Sequence, residues 1–127
     1  MPIIYQKRIY RDDLQANTNI LYLFGDNDQR DGYGGQAGEM RDEENAVGVR
    51  TKWFPSNEDD AFFSDADFDS VSGMLVADLE RVREHLEDDG IVVIPLDGLG
   101  TGLSQLPERA PRIAAYLESL LEELKGI

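Results

Sequence analysis

The chain has no cysteine, which excludes disulfides and cysteine-ligated zinc. Its one histidine, His85, cannot build a multi-histidine metal site, and its place between Val82 and Leu86 suits a solvated or edge position. No run approaches the ~18 apolar residues of a membrane span. The N-terminal MPIIYQKRIY has too short an apolar run for a signal peptide, so the cytoplasm is the expected compartment. Bases are scarce as well: 12 Lys and Arg against 26 Asp and Glu give a net charge of −14. Such a surface lacks the cations that dominate affinity for phosphate backbones, so direct binding to nucleic acid or to an anionic membrane is not expected. The charge favours solubility through self-repulsion. It also leaves open a second use, docking of a basic partner by a non-catalytic acidic interaction protein.

What remains is an ordinary globular composition, 41% hydrophobic over 127 residues, enough for one domain spanning 1–127. Ile3–Tyr10 mixes β-branched, aromatic and basic residues as a half-exposed strand does, and Arg11–Ala16 reads as a turn or helical step. ILYLF at Ile20–Phe24 and IVVIP at Ile91–Pro95 are continuous apolar runs, the pattern of strands covered on both faces. AVGVRTK at Ala46–Lys52 reads as a further strand, and Gly34–Asp42 as a short helix. Pro55–Ala66 is loop-like, exposing Phe62 and Phe63 unless it folds back.

The clearest helix places Phe68, Val71, Leu75, Leu79, Val82 and Leu86 on one stripe, with Asp67 or Asp69 to cap its start and Gly90 its end. A last helix begins at Pro107 or Pro111 and runs to Lys125, with Ile113, Leu117, Leu120 and Leu124 on one side. Strands alternating with helices predict an α/β sandwich with a mixed, mostly parallel sheet, whose ligands sit beyond the carboxyl ends of the strands.

Two loops leave those ends, and both are rich in glycine. After ILYLF comes GDNDQRDGYGGQ, with Gly32, Gly34 and Gly35; after IVVIP comes LDGLGTGLSQLPERA, with Gly98, Gly100 and Gly102. Glycine permits φ > 0 and close approach of the backbone, and successive N–H groups in such turns form anion nests without a cationic side chain. Glycines that merely make tight turns are the competing explanation. Neither loop matches G-x-x-x-x-G-K-[ST] or G-x-G-x-x-G, so a P-loop and a Rossmann dinucleotide site are not expected.

These features resemble the macro domain, a three-layer α/β/α module that binds ADP-ribose and in some members hydrolyses ADP-ribosyl bonds. ILYLFGDN ends at Asn27, the glycines follow five, seven and eight residues later, and an apolar strand ending in proline precedes Gly100-Thr101-Gly102. The stretch FGDN…GGQA…NAVGVRTKWFPS, with GLGTGLSQLPERAP, also resembles a set of small bacterial and phage proteins.

The macro resemblance implies ADP-ribose or a related nucleotide derivative as ligand and no cofactor. It gives Asp13, fourteen residues before Asn27, the adenine amino group, where an N-cap is the alternative. Asn27 would orient the distal ribose or an attacking water, or else cap its own turn. The family's usual N-A-A-N is G-D-N here, so Asp26 stands where a small residue is usual, either as a general base or as a turn cap. Gly34, Gly35, Gly100, Thr101 and Gly102 would give backbone amides to the diphosphate, Gly32, Gln36 and Gly98 would complete the ligand site, and Tyr33 or Leu103 would cover the ribose. Arg30 and Arg109 are the expected nearby cations, each free to pair with neighbouring acids instead. Trp53 is expected in the core or stacked on a base. A third reading sets Asp26 and Asp28 around a divalent metal.

Overall fold

Four short runs of β-branched and aromatic residues form the sheet in the computed structural model, which describes residues 3–99 and 104–127. Gly100, Thr101, Gly102 and Leu103, expected in the second ligand loop, lie outside the described residues. The strands are β1 (Ile3–Gln6), β2 (Ile20–Asn27), β3 (Ala46–Lys52) and β4 (Ile91–Pro95), in the order β1-β4-β2-β3. Every neighbouring pair is parallel, so the sheet expected to be mixed is wholly parallel among the described residues. The helices are α1 (Arg11–Ala16), α2 (Ala37–Met40), α3 (Phe68–Glu87), α4 (Leu106–Arg109) and α5 (Pro111–Lys125).

The alternation of side chains along β2 divides the core into two layers. Leu21 and Leu23 face α3 and α5, where Val71, Leu75, Val82, Ile113, Leu117 and Leu124 close over the sheet. Tyr22 and Phe24 face the other way and pack with Leu14 of α1 and Ala37 and Met40 of α2. The result is the expected three-layer α/β/α sandwich. Strand order explains the sides. The steps from β1 to β2 and from β2 to β3 run in one direction across the sheet, and the step from β3 to β4 runs back, so a constant crossover hand sends α3 to the opposite face. Each side chain of the α3 stripe that is fully buried, such as Val71, Leu75 and Val82, contributes roughly 1.5–3 kcal/mol over its exposed state.

Several boundaries differ from the sequence expectation, each for a local reason. β1 stops at Gln6, whose carbonyl accepts the Leu96 N–H; beyond it only Ile9 returns to the core, under α1. β2 runs three residues past Phe24 because Gly25, Asp26 and Asn27 still pair with β3. The helix expected over Gly34–Asp42 forms only at Ala37–Met40. The loop after β3 does fold back: Lys52 and Phe62 form an antiparallel bridge, and Phe62 and Phe63 are buried.

Asp67 precedes α3 but makes no cap bond to it, its carboxylate instead accepting from Ser64 N–H and Trp53 Nε1. At the other end, Gly90 and Asp89 donate to the carbonyls of His85 and Leu86, the pair of bonds of a Schellman motif. Asp89, at φ +63°, rather than Gly90 takes the left-handed position. A Cβ at Gly90 would meet the His85 ring, so any other residue there requires that ring to move.

Candidate functional site

β2 and β4 part before β2 ends, and the candidate site lies in the gap. Their pairing stops at Tyr22 and Val93, while β2 continues to Asn27 and β4 ends at Pro95, which has no N–H to offer. Beyond the split is a cavity of about 580 Å³ lined by Gly25, Asp26 and Asn27 from one strand and Pro95, Asp97 and Gly98 from the other. The first glycine loop supplies Gly32 to Gln36, the end of β3 supplies Lys52, and the end of β1 supplies Lys7 and Arg8. All four carboxyl ends therefore reach the same cavity, as the rule for open α/β sheets requires.

Asp26 is the structural centre of this wall. It is 5% exposed, and its carboxylate accepts four hydrogen bonds: Asn27 N–H and Arg41 Nη2 on Oδ1, Arg30 Nη1 and Arg41 Nη1 on Oδ2. A carboxylate has about four acceptor positions, and here all are taken. The geometry assigns Asp26 to anchoring, and leaves it no position from which to draw a proton from water.

Arg41 is used as completely. Its Nε donates to the Gly32 carbonyl at 2.7 Å and its Nη2 to the Asp31 carbonyl at 3.2 Å, so the buried Asp26–Arg41 pair shapes the glycine loop. The alternation continues outward. Arg30 reaches Asp78 of α3 at 2.7 Å, Asp78 holds Arg50, and Arg50 reaches Asp28 at 3.1 Å. Asp26 and Asp28, the pair considered for a metal, are thus both committed to arginines. Among the described residues no cluster of three or more His, Cys, Asp or Glu is arranged to hold a metal ion.

The remaining expected residues divide clearly. Asn27 lines the cavity but also ties its own turn, accepting Gln29 N–H at 3.1 Å and donating to the Asp31 carbonyl at 2.6 Å. Among the described residues, one amide hydrogen and one lone pair stay uncommitted. Asp13 is not in the cavity; it accepts from Tyr10 N–H and Gln6 Nε2 and caps α1. Gly32, Gly34, Gly35 and Gly98 all line the cavity, and Gly32, Gly35 and Gly98 have positive φ.

Tyr33 lies over the rim, more than half exposed, and donates to Asp42, whose hydrogen bond raises its pKa. Gln36 donates its amide to the Ile9 carbonyl, which fixes its orientation and leaves Oε1 buried with no donor among the described residues. Trp53 packs edge-on against Phe63 in the main core and is not part of the site.

The cations around the site are not the expected ones. Arg30 is spent on Asp26 and Asp78, and Arg109 stacks on Phe62 and pairs with Asp59. Lys7, Arg8, Arg41 and Lys52 line the cavity instead, against the carboxylates of Asp26, Asp31 and Asp97. On a chain of net −14 this is a locally positive surface. Lys52 is 7% exposed, and burial lowers its pKa. Sequence reasoning missed Lys7, Arg8 and Arg41 because nothing local marks them: β1 ends early, and Arg41 follows an isolated turn of helix. Lys52 has one legible signal, a cation closing the strand-like AVGVRTK.

No curated protein and no solved structure matches the chain. Residues 4–120 match a family of unknown function, DUF7831, and the chain, matched over nearly its whole length, belongs to that family.

Proposed function

We propose that the cavity binds ADP-ribose or a related nucleotide derivative, with the diphosphate against the glycine loops. The observation that carries this reading is a nucleotide-sized cavity of about 580 Å³ beyond four parallel strand ends, lined by four cations on a protein of net −14. Two details support it. The N–H groups of Gly34 and Gly35 have no acceptor among the described residues, and positive φ at Gly35 followed by right-handed Gln36 is the alternation that forms an anion nest. Gln36 Oε1, a buried acceptor without a donor among the described residues, is a cost that a sugar hydroxyl or amino group would remove.

Binding is better supported than hydrolysis. The carboxylate of Asp26, the residue considered as a base, is filled by four donors, and Asn27 can position a hydroxyl or water but not deprotonate it. The test is a calorimetric titration of ADP-ribose into the protein and into Gly34→Val. Gly34 has no left-handed φ, so the substitution fills the loop mouth without backbone strain. Saturable binding that Gly34→Val abolishes, with the melting temperature changed by no more than about 2 °C, is the expected result. No binding by the intact protein would overturn the reading and leave the acidic surface, with a basic partner, as the better account.

A further inference from the structure

Among the described residues Lys52 is the one buried cation of the cavity without a carboxylate partner. Arg41, the other buried cation, is neutralised by Asp26. Among the described residues no carboxylate lies within ion-pair distance of Lys52, and its ammonium donates one hydrogen bond, to the Ser56 carbonyl at 3.0 Å. The Phe62 ring centroid lies 5.1 Å from Nζ. An ammonium has three donors, so two have no hydrogen-bond acceptor among the described residues, beside a cavity that the residue lines. Leaving a charged donor buried and unmatched is expensive, and 26 acidic residues were available to match it.

The backbone holds this side chain in place. A β-bulge between β2 and β3 aligns Arg50 with Asp26 and Lys52 with Asn27, leaving Thr51 without a partner across the strand. Bulges of this kind re-aim a side chain near functional sites. The Lys52 carbonyl accepts Asp28 N–H at 2.9 Å, and the residue bridges to Phe62 on its other side. Thr51, fully buried, donates to the Asp26 carbonyl, so at 2.6 Å it accepts from Ser104, another residue of the cavity wall. The end of β3 is therefore fixed on both sides before any ligand arrives.

We propose that Lys52 is the anion-reading residue of the site, and that the ligand supplies the missing counter-charge as a phosphate oxygen placed against its ammonium. The inference rests on the nucleotide-derivative reading of the cavity and adds the residue that reads the charge. It assigns recognition to one buried point charge at the end of β3, with the glycine amides of the opposite loop as neutral support.

The experiment titrates pyrophosphate, ADP-ribose and adenosine into the wild type, Lys52→Met and Lys52→Arg. Lys52→Met keeps the length and loses the charge, and its unliganded melting temperature is expected to equal or exceed that of the wild type. Pyrophosphate and ADP-ribose are expected to weaken about tenfold or more in Lys52→Met, the loss of one charge-assisted hydrogen bond. Adenosine is expected to change less than about twofold, and Lys52→Arg to retain both phosphate-bearing ligands.

Wild-type binding of ADP-ribose that Lys52→Met leaves unchanged would overturn this inference while the nucleotide reading stands. Pyrophosphate binding that Lys52→Met abolishes, without ADP-ribose binding, would support the anion contact and overturn the nucleotide reading. Loss in Lys52→Arg equal to that in Lys52→Met would overturn charge as the cause. Failure of the wild type to bind either phosphate-bearing probe would overturn both.

Discussion

A Cβ added at Gly48 would meet the Asp26 carboxylate inside contact distance and stand 3.0 Å from Arg30 Nη1, because Gly48 sits where the buried ion network crosses β3. At Gly73, on the exposed face of α3, the same Cβ meets nothing within 4 Å. One substitution should therefore have opposite signs at the two positions. Gly48→Ala is expected to destabilise by about 2 kcal/mol, because the colliding groups are themselves held on several sides. Gly73→Ala is expected to stabilise by about 0.5–1 kcal/mol through lower chain entropy and better helix propensity. Urea denaturation of the two variants checks both, and a stable Gly48→Ala would mean that Asp26 can move without cost. Neither difference is legible in the sequence, where both are isolated glycines in a periodic segment.

Among the elements, β3 carries the greatest liability: it is an edge strand beside the site, and an unguarded edge invites pairing with other chains. Two side chains and a backbone bridge from neighbouring segments occupy it. Arg30 donates to the Gly48 carbonyl, Asp78 of α3 accepts Arg50 N–H, and Phe62 bridges to Lys52. Asp78 also receives Arg50 Nε and Nη2 and Arg30 Nη2, so one buried carboxylate serves two guanidiniums and a backbone amide. Asp78→Ala would leave the Arg50 amide without its acceptor and strip each guanidinium of one carboxylate, Arg30 keeping Asp26 and Arg50 keeping Asp28; a loss of about 3 kcal/mol is expected, together with concentration-dependent self-association through β3. Chemical denaturation and light scattering measure the two effects.

The α3 stripe that presents Asp78 was readable from its apolar spacing, as were the runs of β2, β3 and β4, since burial on one or two faces imposes a period that survives in sequence. Asp78 itself was not. A polar residue on an apolar stripe gives no sign of which partners, 28 and 48 residues away, it will meet. The glycines that line the cavity, Gly32, Gly34, Gly35 and Gly98, are legible for the same reason as the stripe, a local pattern with a local cause. Asp13 stands at the third position of α1, where its carboxylate accepts the Tyr10 N–H, and its spacing from Asn27 along the chain carries no sign of that.

Taken whole, the molecule sets a global field against a local one. Net −14 repels a phosphate-bearing ligand at long range, whereas the cavity wall holds four cations against three carboxylates, two of the cations, Arg41 and Lys52, buried. The two fields respond differently to salt. The Debye length falls from roughly 30 Å at 0.01 M to about 10 Å at 0.1 M, which screens the global repulsion before the ligand reaches the site. A contact with buried Lys52 is screened far less, because little electrolyte enters it.

The association rate of ADP-ribose is accordingly expected to rise severalfold between low salt and about 0.1 M while the dissociation rate changes little, so that moderate salt tightens binding. An anion entering a site on a basic protein shows the reverse. Stopped-flow association across a salt series distinguishes the cases. A rate that falls with salt would place control of the encounter with the exposed rim cations, Lys7 and Arg8, instead of the net charge.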